Sequence, residues 1–239
     1  LLVFDVAAKR LLNLASIVDN SALPQLDIGS PVEGLEEESY SESATVQVDD
    51  ESSNKTAQLE AEEAKLKPIQ EYATSVTFAP KLENGLYLVG AGVRKKSVVK
   101  VYAVAMYGTP QVLASATSPT NLRDTARTFG DTSSMTSFVL EMVYSAGAEK
   151  IAGAIGESVK PRYNGDSSDI GVLESLIVNG VNAIGGQATK GTIFHFDCSD
   201  EGVSVSVNGA DQGMASFEGL GSAFVDVFMD SNSVSPTLM

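Results

Sequence analysis

Two apolar, β-rich runs lie next to each other in this sequence, and they constrain the fold more than any other segment. The first run extends from Leu86 to Val93 and the second from Val98 to Tyr107. Only Arg94-Lys95-Lys96-Ser97 separates them, and this length suits a hairpin connection. The pattern therefore predicts two long antiparallel strands joined by a short turn, in which Lys95 and Lys96 are solvated.

The same hairpin brings an arginine close to a phenol. Arg94 follows the first apolar run, and Tyr102 lies on the second run, aimed at the same place. A guanidinium offers paired hydrogen-bond donors in a planar fork, so this pair predicts a site for a carboxylate or a polarised carbonyl. A purely structural contact between Arg94 and Tyr102 is the alternative that the spacing leaves open.

The rest of the C-terminal part alternates between strand and helix patterns. A first helix stops before Pro161. Asp166, Ser167 and Ser168 each offer an N-cap for a second, long amphipathic helix that ends at Gly185-Gly186. The predicted strands are Phe138 to Tyr144, Thr192 to Asp197, Val203 to Val207 and Gly213 to Phe217, and the other predicted helices are Ala148 to Val159 and Gly219 to Phe228. This order predicts an α+β fold, with helices over one face of a mainly antiparallel sheet.

Composition excludes several classes of function. The formal net charge of -15 argues against a nucleic-acid-binding protein, which needs clustered Lys and Arg. The single cysteine, Cys198, and the single histidine, His195, can form neither an internal disulfide nor a metal site of the usual spacing. They lie three apart on a predicted strand, so their side chains should point to opposite faces and cannot form a nucleophile pair. Gly90 and Gly92 are predicted to leave room for the backbone rather than to form a phosphate-binding loop, because they do not open a helix after a strand.

The N-terminal 74 residues differ from the rest of the chain. The spacing of apolar residues from Leu1 to Val18 predicts an amphipathic helix, and its charged residues argue against a transmembrane span. Residues 31–53 are rich in Glu, Ser and Asp, bury little apolar surface, and should be ordered only by a partner polypeptide. A short helix is predicted around Lys55 to Lys67, before Pro68. We therefore divide the chain into an N-terminal extension, residues 1–74, and a domain, residues 75–239.

Several short motifs, in this order, resemble the chalcone isomerase superfamily from about Asn84 to Leu238. The motifs are Gly-Ala-Gly-Val-Arg at 90–94, Lys-Val-Tyr-Ala-Val-Ala-Met-Tyr at 100–107, Glu-Lys-Ile at 149–151, Glu-Ser-Val-Lys-Pro-Arg at 157–162, Lys-Gly-Thr-Ile at 190–193, Val-Ser-Val-Asn-Gly at 205–209 and Val-Ser-Pro at 234–236. The resemblance implies a chalcone-isomerase-like open-faced β-sandwich, with a ligand cleft between helices and sheet.

The resemblance also implies that the enzymatic site is lost. Of the polar residues that surround the substrate in plant enzymes of this family, only the arginine is kept, as Arg94. Tyr102 stands at the strand threonine, whereas Gly147, Ala154 and Val227 fall at the other polar positions. A cyclisation that depends on an ordered polar network should not survive this loss, so we expect no enzyme activity, no cofactor and no metal.

The same arginine and strand tyrosine resemble the fatty-acid-binding branch of the superfamily. In that branch the pair binds the carboxylate of the fatty acid, and the cleft binds its acyl tail. Here the implied ligand-binding residues are Arg94 and Tyr102, with Tyr107 as the next candidate.

Two functions remain open. The first is a non-enzymatic accessory or structural subunit of a larger, thylakoid or other organellar, membrane assembly, anchored to partner subunits by residues 1–74. The alternative is a plastid fatty-acid-binding protein that uses Arg94 and Tyr102. We favour the first, because a simple carrier has no need of so long an extension. The chain begins with Leu1 rather than Met, so we expect a leader to precede it. Independently of that leader, both functions lead us to expect an organelle as the compartment, specifically the plastid stroma or thylakoid surface.

Overall fold

A computed structural model describes residues 67–129 and 135–238, which form an antiparallel sheet with helices against one face. The predicted helices at Leu1 to Val18 and Lys55 to Lys67, and the acidic segment at 31–53, lie outside the described residues, apart from Lys67 itself. The division between residues 74 and 75 stays a prediction. A small hairpin has its strands on either side of that division, β1 (Ile69–Gln70) and β2 (Thr77–Phe78).

The two apolar runs that opened the sequence analysis form the longest hairpin, as predicted. They become β3 (Tyr87–Lys96) and β4 (Val99–Gly108), which pair antiparallel. The strands extend further than predicted, because Lys95 and Lys96 pair across the hairpin and leave only Ser97 and Val98 in the turn. Ser97 adopts φ 58°, the left-handed conformation that tight hairpin turns require.

The main sheet has six strands, in the order β10-β9-β8-β5-β4-β3. Its remaining strands and the helices packed on it match the sequence prediction within a few residues. They are β5 (Thr136–Met142), β8 (Ile193–Cys198), β9 (Val203–Val207), β10 (Ala210–Ala215), α3 (Ala148–Val159), α4 (Ser167–Ala183) and α5 (Leu220–Met229). Of the three predicted N-cap candidates, Asp166 is the one that caps α4, since its side chain accepts a hydrogen bond from the backbone N–H of Ser168.

Some short elements were not predicted from the sequence. They are the hairpin β1–β2, the helices α1 (Pro110–Ala114) and α2 (Pro119–Arg127), and the pair β6 (Ala146–Gly147) and β7 (Gln187–Ala188). Both helices have a hydroxyl N-cap directly before a proline, Thr109-Pro110 and Ser118-Pro119. This arrangement favours helix initiation, so the sequence did contain the signal.

Each face of the sheet carries its own apolar cluster. On β4, Tyr102, Val104 and Met106 face the helices, whereas Ala103, Ala105 and Tyr107 face the hairpin β1–β2. The helix side is centred on stacked phenylalanines, with ring centroids of Phe138 and Phe228 separated by 4.6 Å. This alternation, which follows from the two-residue period of a strand, decides which side chains reach the cavity described below.

Gly90 and Gly92 leave room for the backbone, as predicted, because the C-terminal segment crosses β3 directly above them. A Cβ atom at Gly90 would lie 2.7 Å from the carbonyl oxygen of Leu238, and one at Gly92 would lie 2.6 Å from its backbone nitrogen. Thr237 holds the segment in place by accepting a hydrogen bond from the N–H of Val93 at 3.0 Å. Two motifs of the family resemblance therefore meet here, at residues 90–94 and 234–236.

Candidate functional site

A cavity of about 230 Å³ opens between the end of the β3–β4 hairpin and helix α3. Its residues come from the hairpin, from the segment around the end of β5, and from one face of α3. They are Arg94, Lys96, Val99, Val101 and Tyr102; Met142, Tyr144 and Ala146; and Lys150, Ile151, Ala154 and Ile155. As far as the described residues form it, the lining is apolar except for three cations and two phenols, and it contains no carboxylate.

The strand register places Arg94 beside Tyr102. The two residues are direct cross-strand partners on β3 and β4, so both side chains point to the helix side of the sheet. Tyr102 is buried and Arg94 is half-buried. The sequence prediction that these two residues share a site therefore agrees with the geometry.

Three contacts fix the guanidinium of Arg94. Its Nη1 lies 3.4 Å from the hydroxyl oxygen of Tyr102 and 3.2 Å from Oγ of Ser158 on α3, and it donates to both. Its Cζ also lies 5.8 Å from the centroid of the Tyr102 ring, a distance at which a cation is attracted to an aromatic ring. The hydroxyl of Ser158 donates to the carbonyl of Ala154 at 2.7 Å, which leaves its oxygen free to accept from Arg94.

Arg94 has no acidic partner within the described ranges 67–129 and 135–238. Its hydrogen-bond partners there are two neutral hydroxyl groups. The other arginines of these ranges for which contacts are seen, such as Arg123 and Arg162, are paired with carboxylates. Since a half-buried cation is costly without a counter-charge, this arrangement can bind an anion that enters the cavity.

Tyr102 is a hydrogen-bond donor rather than a phenolate at neutral pH. Burial is the main influence and raises the pKa of Tyr102, while the charge and the hydrogen bond of Arg94 act in the opposite direction without outweighing it. The Tyr102 oxygen accepts from Arg94, so its own O–H can donate to a ligand. A carboxylate would thus meet donors from both residues.

The third predicted ligand-binding residue, Tyr107, lies elsewhere. It is five positions from Tyr102 on β4, an odd separation, and therefore points to the opposite face of the sheet. Its hydroxyl donates to the carbonyl of Ala79 at 2.9 Å, and burial raises its pKa. Tyr107 thus supports the packing of the β1–β2 side and does not line the cavity with Arg94.

Two of the three positions at which the resemblance implied lost polar groups lie at or next to the cavity. Ala154 lines the cavity, and Gly147 is the N-cap of α3, next to the lining residue Ala146. Val227 is buried within α5. None of these three side chains can donate or accept a hydrogen bond.

Sequence reasoning missed three polar contributors to this site. Ser158 lies four residues after Ala154, so it shares a helix face with a position that the resemblance had already assigned to the site. Lys96 was predicted only as a solvated turn residue, yet it lies on β3 and also lines the cavity. Lys150 near the start of α3 belongs to the Glu-Lys-Ile motif of the resemblance, but the motif did not assign it to the site.

The alternation predicted for His195 and Cys198 is confirmed. Cys198 is fully buried on the helix side, and this burial raises the pKa of its thiol well above the usual value. His195 lies on the other side, with Nε2 at 3.1 Å from Oδ1 of Asp197. The two side chains therefore do not form a thiolate–imidazole pair. Within residues 67–129 and 135–238, no group of three or more His, Cys, Asp or Glu is arranged to hold a metal ion.

The fold and the cavity define a class of protein: a six-stranded antiparallel sheet with helices on one face and an open cleft between them. The family described as chalcone isomerase-like matches residues 69–238. The chain belongs to this family, as the sequence motifs indicated.

A solved structure supports the same fold. The fatty-acid binding protein AtFAP1 of Arabidopsis thaliana superposes with a TM-score of 0.59 at 18% identity, covering 72% of this chain and 93% of that chain. No curated protein sequence matches the chain significantly. Because the identity is low, the likeness to AtFAP1 establishes the architecture alone.

Proposed function

We propose that this protein binds a fatty acid without transforming it, and that Arg94 and Tyr102 hold the carboxylate. The observation that carries the proposal is the guanidinium of Arg94, which lies in an apolar cavity with no acidic partner in the part of the chain described here. A carboxylate supplies the missing counter-charge. Its acyl tail supplies the apolar surface that the remainder of the cavity can bury.

The expected binding geometry follows from the donors that are still free. Nη1 of Arg94 is occupied by Tyr102 and Ser158, so the carboxylate would accept from Nη2 or Nε and from the Tyr102 hydroxyl. Each charge-assisted bond contributes about 1.5 to 3 kcal/mol net. The tail would contact Ile151 and Ile155 on α3 and Met142 on β5, and each buried methylene adds about 0.8 kcal/mol.

The size of the cavity limits how much of the tail is enclosed. Its volume of about 230 Å³ is below the ~300 to 1,000 Å³ of typical small-molecule sites. We therefore expect the tail of a long-chain acid to extend toward the exposed side of the cavity, where Ala154 and Tyr144 are accessible to solvent.

Two observations support a binding protein rather than an enzyme. The side chains of Gly147, Ala154 and Val227 offer no polar group where the family enzymes have one, and the phenol beside Arg94 stays protonated. AtFAP1, which has the same fold, is a fatty-acid binding protein, and this is a further reason to prefer this function. The accessory-subunit hypothesis rests on residues 1–74, most of which lie outside the described ranges. It and the plastid location stay predictions.

Calorimetric titration of the full chain with dodecanoate tests the proposal directly. We expect saturable binding of dodecanoate and a large loss of affinity for its methyl ester, which keeps the tail but lacks the charge. Arg94→Gln should weaken binding of dodecanoate by at least about tenfold, the equivalent of one lost charge-assisted bond.

A matched pair of tyrosine variants provides the control. Tyr102→Phe removes the hydroxyl beside Arg94, whereas Tyr107→Phe removes one on the other face of the sheet. Weaker dodecanoate binding by the first variant and unchanged binding by the second is the expected result. Equal affinity for dodecanoate and its ester, or no binding by the folded wild-type protein, would contradict the proposal.

A further inference from the structure

Seven large apolar side chains are exposed among the described residues. Four of them surround the cavity opening or the neighbouring turns, namely Tyr72 (98% exposed), Val98 (89%), Tyr144 (50%) and Val99 (41%). Val99 and Tyr144 line the cavity, and Val98 lies at the tip of the β3–β4 hairpin. Tyr72 is adjacent to Ala73, whose carbonyl accepts a hydrogen bond from Nζ of Lys100. We call this end of the molecule the hairpin-end surface.

Lysines accompany these apolar side chains. Lys95, Lys96 and Lys100 are exposed on the two strands that meet at the hairpin tip, and Lys150 is exposed where α3 borders the cavity. This concentration is notable because the whole chain has 31 acidic and only 16 basic residues. The nearby carboxylate of Glu71 is occupied by the backbone N–H groups of Ala73 and Thr74. Glu149 precedes Lys150 but does not line the cavity.

We propose that the hairpin-end surface docks on an anionic lipid bilayer and presents the cavity opening to it. Exposed apolar side chains on a turn can enter the interfacial layer, while lysines around them are attracted to anionic headgroups. A tyrosine suits this depth, because its ring is apolar and its hydroxyl remains hydrated. An apolar tip surrounded by cations fits a bilayer better than an acidic protein, which would leave Val98 and Tyr72 without apolar contacts.

Docking in this orientation would suit the proposed ligand, although it does not depend on it. The opening is bordered by Val99, Tyr144 and Lys150, so a fatty acid could pass from the bilayer to Arg94 without its tail crossing bulk water. The described part of the chain has no helix long and apolar enough to cross a membrane. The contact that we infer is one between a protein surface and a headgroup layer.

Sedimentation of the full chain with vesicles tests the docking. Vesicles of phosphatidylcholine and phosphatidylglycerol in equal amounts should bind the protein, vesicles of phosphatidylcholine alone should bind it more weakly, and added sodium chloride should reduce the difference. Lys95→Gln should weaken binding to the anionic vesicles about fivefold, as expected for one lysine near such a surface. Lys81→Gln, at the opposite end of β3, should leave it unchanged.

A second pair of variants tests the apolar contribution. Val98→Asp should weaken vesicle binding by about tenfold or more, because it removes apolar surface and adds a charge that anionic lipid repels. Val172→Asp is the matched control, since Val172 is an exposed valine on α4. Absence of binding to phosphatidylglycerol vesicles, or equal weakening by both aspartates, would overturn the proposal. So would a change in oligomeric state caused by Val98→Asp without lipid, which would assign the surface to a second copy of the chain.

The docking and the fatty-acid site can fail separately. Val98 does not line the cavity, so Val98→Asp should bind dodecanoate like the wild type in the absence of vesicles. Vesicle binding without dodecanoate binding would remove the proposed function and keep the docking surface. Dodecanoate binding without vesicle binding would keep the proposed function and remove the docking surface.

Discussion

Ser158 on helix α3 contacts Arg94 on strand β3 across the cavity, with 3.2 Å between Oγ of the serine and Nη1 of the arginine. Sixty-four positions separate the two residues in the sequence, so this contact is a tertiary one that joins the helix layer to the sheet. The same serine donates to the carbonyl of Ala154 one turn earlier. The position of the guanidinium is therefore set from both layers, by Tyr102 and by Ser158.

Ser158→Ala tests whether this contact positions Arg94 for its ligand. Ser158 positions Arg94 and does not itself contact the ligand, so its loss should weaken dodecanoate binding by only about three- to tenfold, while the charge of Arg94 remains. Ser175→Ala on α4 is the matched control, because Ser175 also donates to a carbonyl four residues earlier and lies away from the cavity. Titration of both variants gives the comparison. If they bind dodecanoate equally well, Ser158 is only a helix residue.

Ala154→Leu tests whether the tail lies along α3. Ala154 is exposed and lines the cavity, so leucine should fill part of the opening and weaken binding of dodecanoate more than that of a shorter acid such as hexanoate. Leucine and alanine have similar helix propensities, so the melting temperature should change little. If the variant binds each of the two acids as tightly as the wild type does, the tail takes another route.

Gly92→Ala tests the packing of the C-terminal segment over β3. The added Cβ would lie 2.6 Å from the backbone nitrogen of Leu238 and 2.8 Å from Oγ of Ser235, so the segment must move. We expect a loss of about 1 to 3 kcal/mol in the free energy of unfolding, as for other overpacked sites. Gly171→Ala lies in a helix, and apart from its chain neighbours and the backbone of that helix no heavy atom lies within 4 Å of the new Cβ, so it should instead raise stability by up to about 1 kcal/mol. Urea unfolding of both variants measures the difference.

The sequence predicted the architecture well because its strands and helices are long and periodic. The β3–β4 hairpin and helices α3, α4 and α5 each combine an apolar pattern with a recognisable end, such as the Asp166 cap. Short elements were missed for the opposite reason. The strands β1 and β2 have two residues each, so their pairing depends on contacts that no local pattern records.

The candidate site was predictable only in part. The pairing of Arg94 with Tyr102 follows from hairpin register, and the resemblance named the same two residues. Tyr107 was ranked as the next candidate because of its residue type, although strand alternation already places it on the other face from Tyr102. Ser158 and Lys150 reach the cavity through the docking of α3 against the hairpin, a long-range arrangement that the sequence pattern does not encode.

The pair of Arg162 and Asp230 leads to a prediction about stability and pH. Two parallel hydrogen bonds of 2.9 Å join the guanidinium to the carboxylate, and the exposed fractions of the side chains are 8% and 18%. Burial would raise the pKa of Asp230, but the hydrogen bonds and charge of Arg162 outweigh it, so that the pKa lies below its usual value. The folded state therefore gains stability from ionised Asp230 above the unfolded pKa of about 3.9, and loses it as the pH falls through the lower folded pKa.

Asp230→Asn should accordingly lower the free energy of unfolding at neutral pH by about 2 to 3 kcal/mol, because it leaves the buried Arg162 without a counter-charge. The difference between variant and wild type should begin to shrink as the pH falls below about 4, because the carboxylate of the unfolded wild type then becomes protonated, and it should be smallest below the lower folded pKa. Asp211→Asn, at an exposed position of β10, is the control and should change stability little at either pH. Urea unfolding at neutral and acidic pH measures both variants. A destabilisation by Asp230→Asn that stays constant down to pH values well below 3.9 would mean that the ion pair is not its cause.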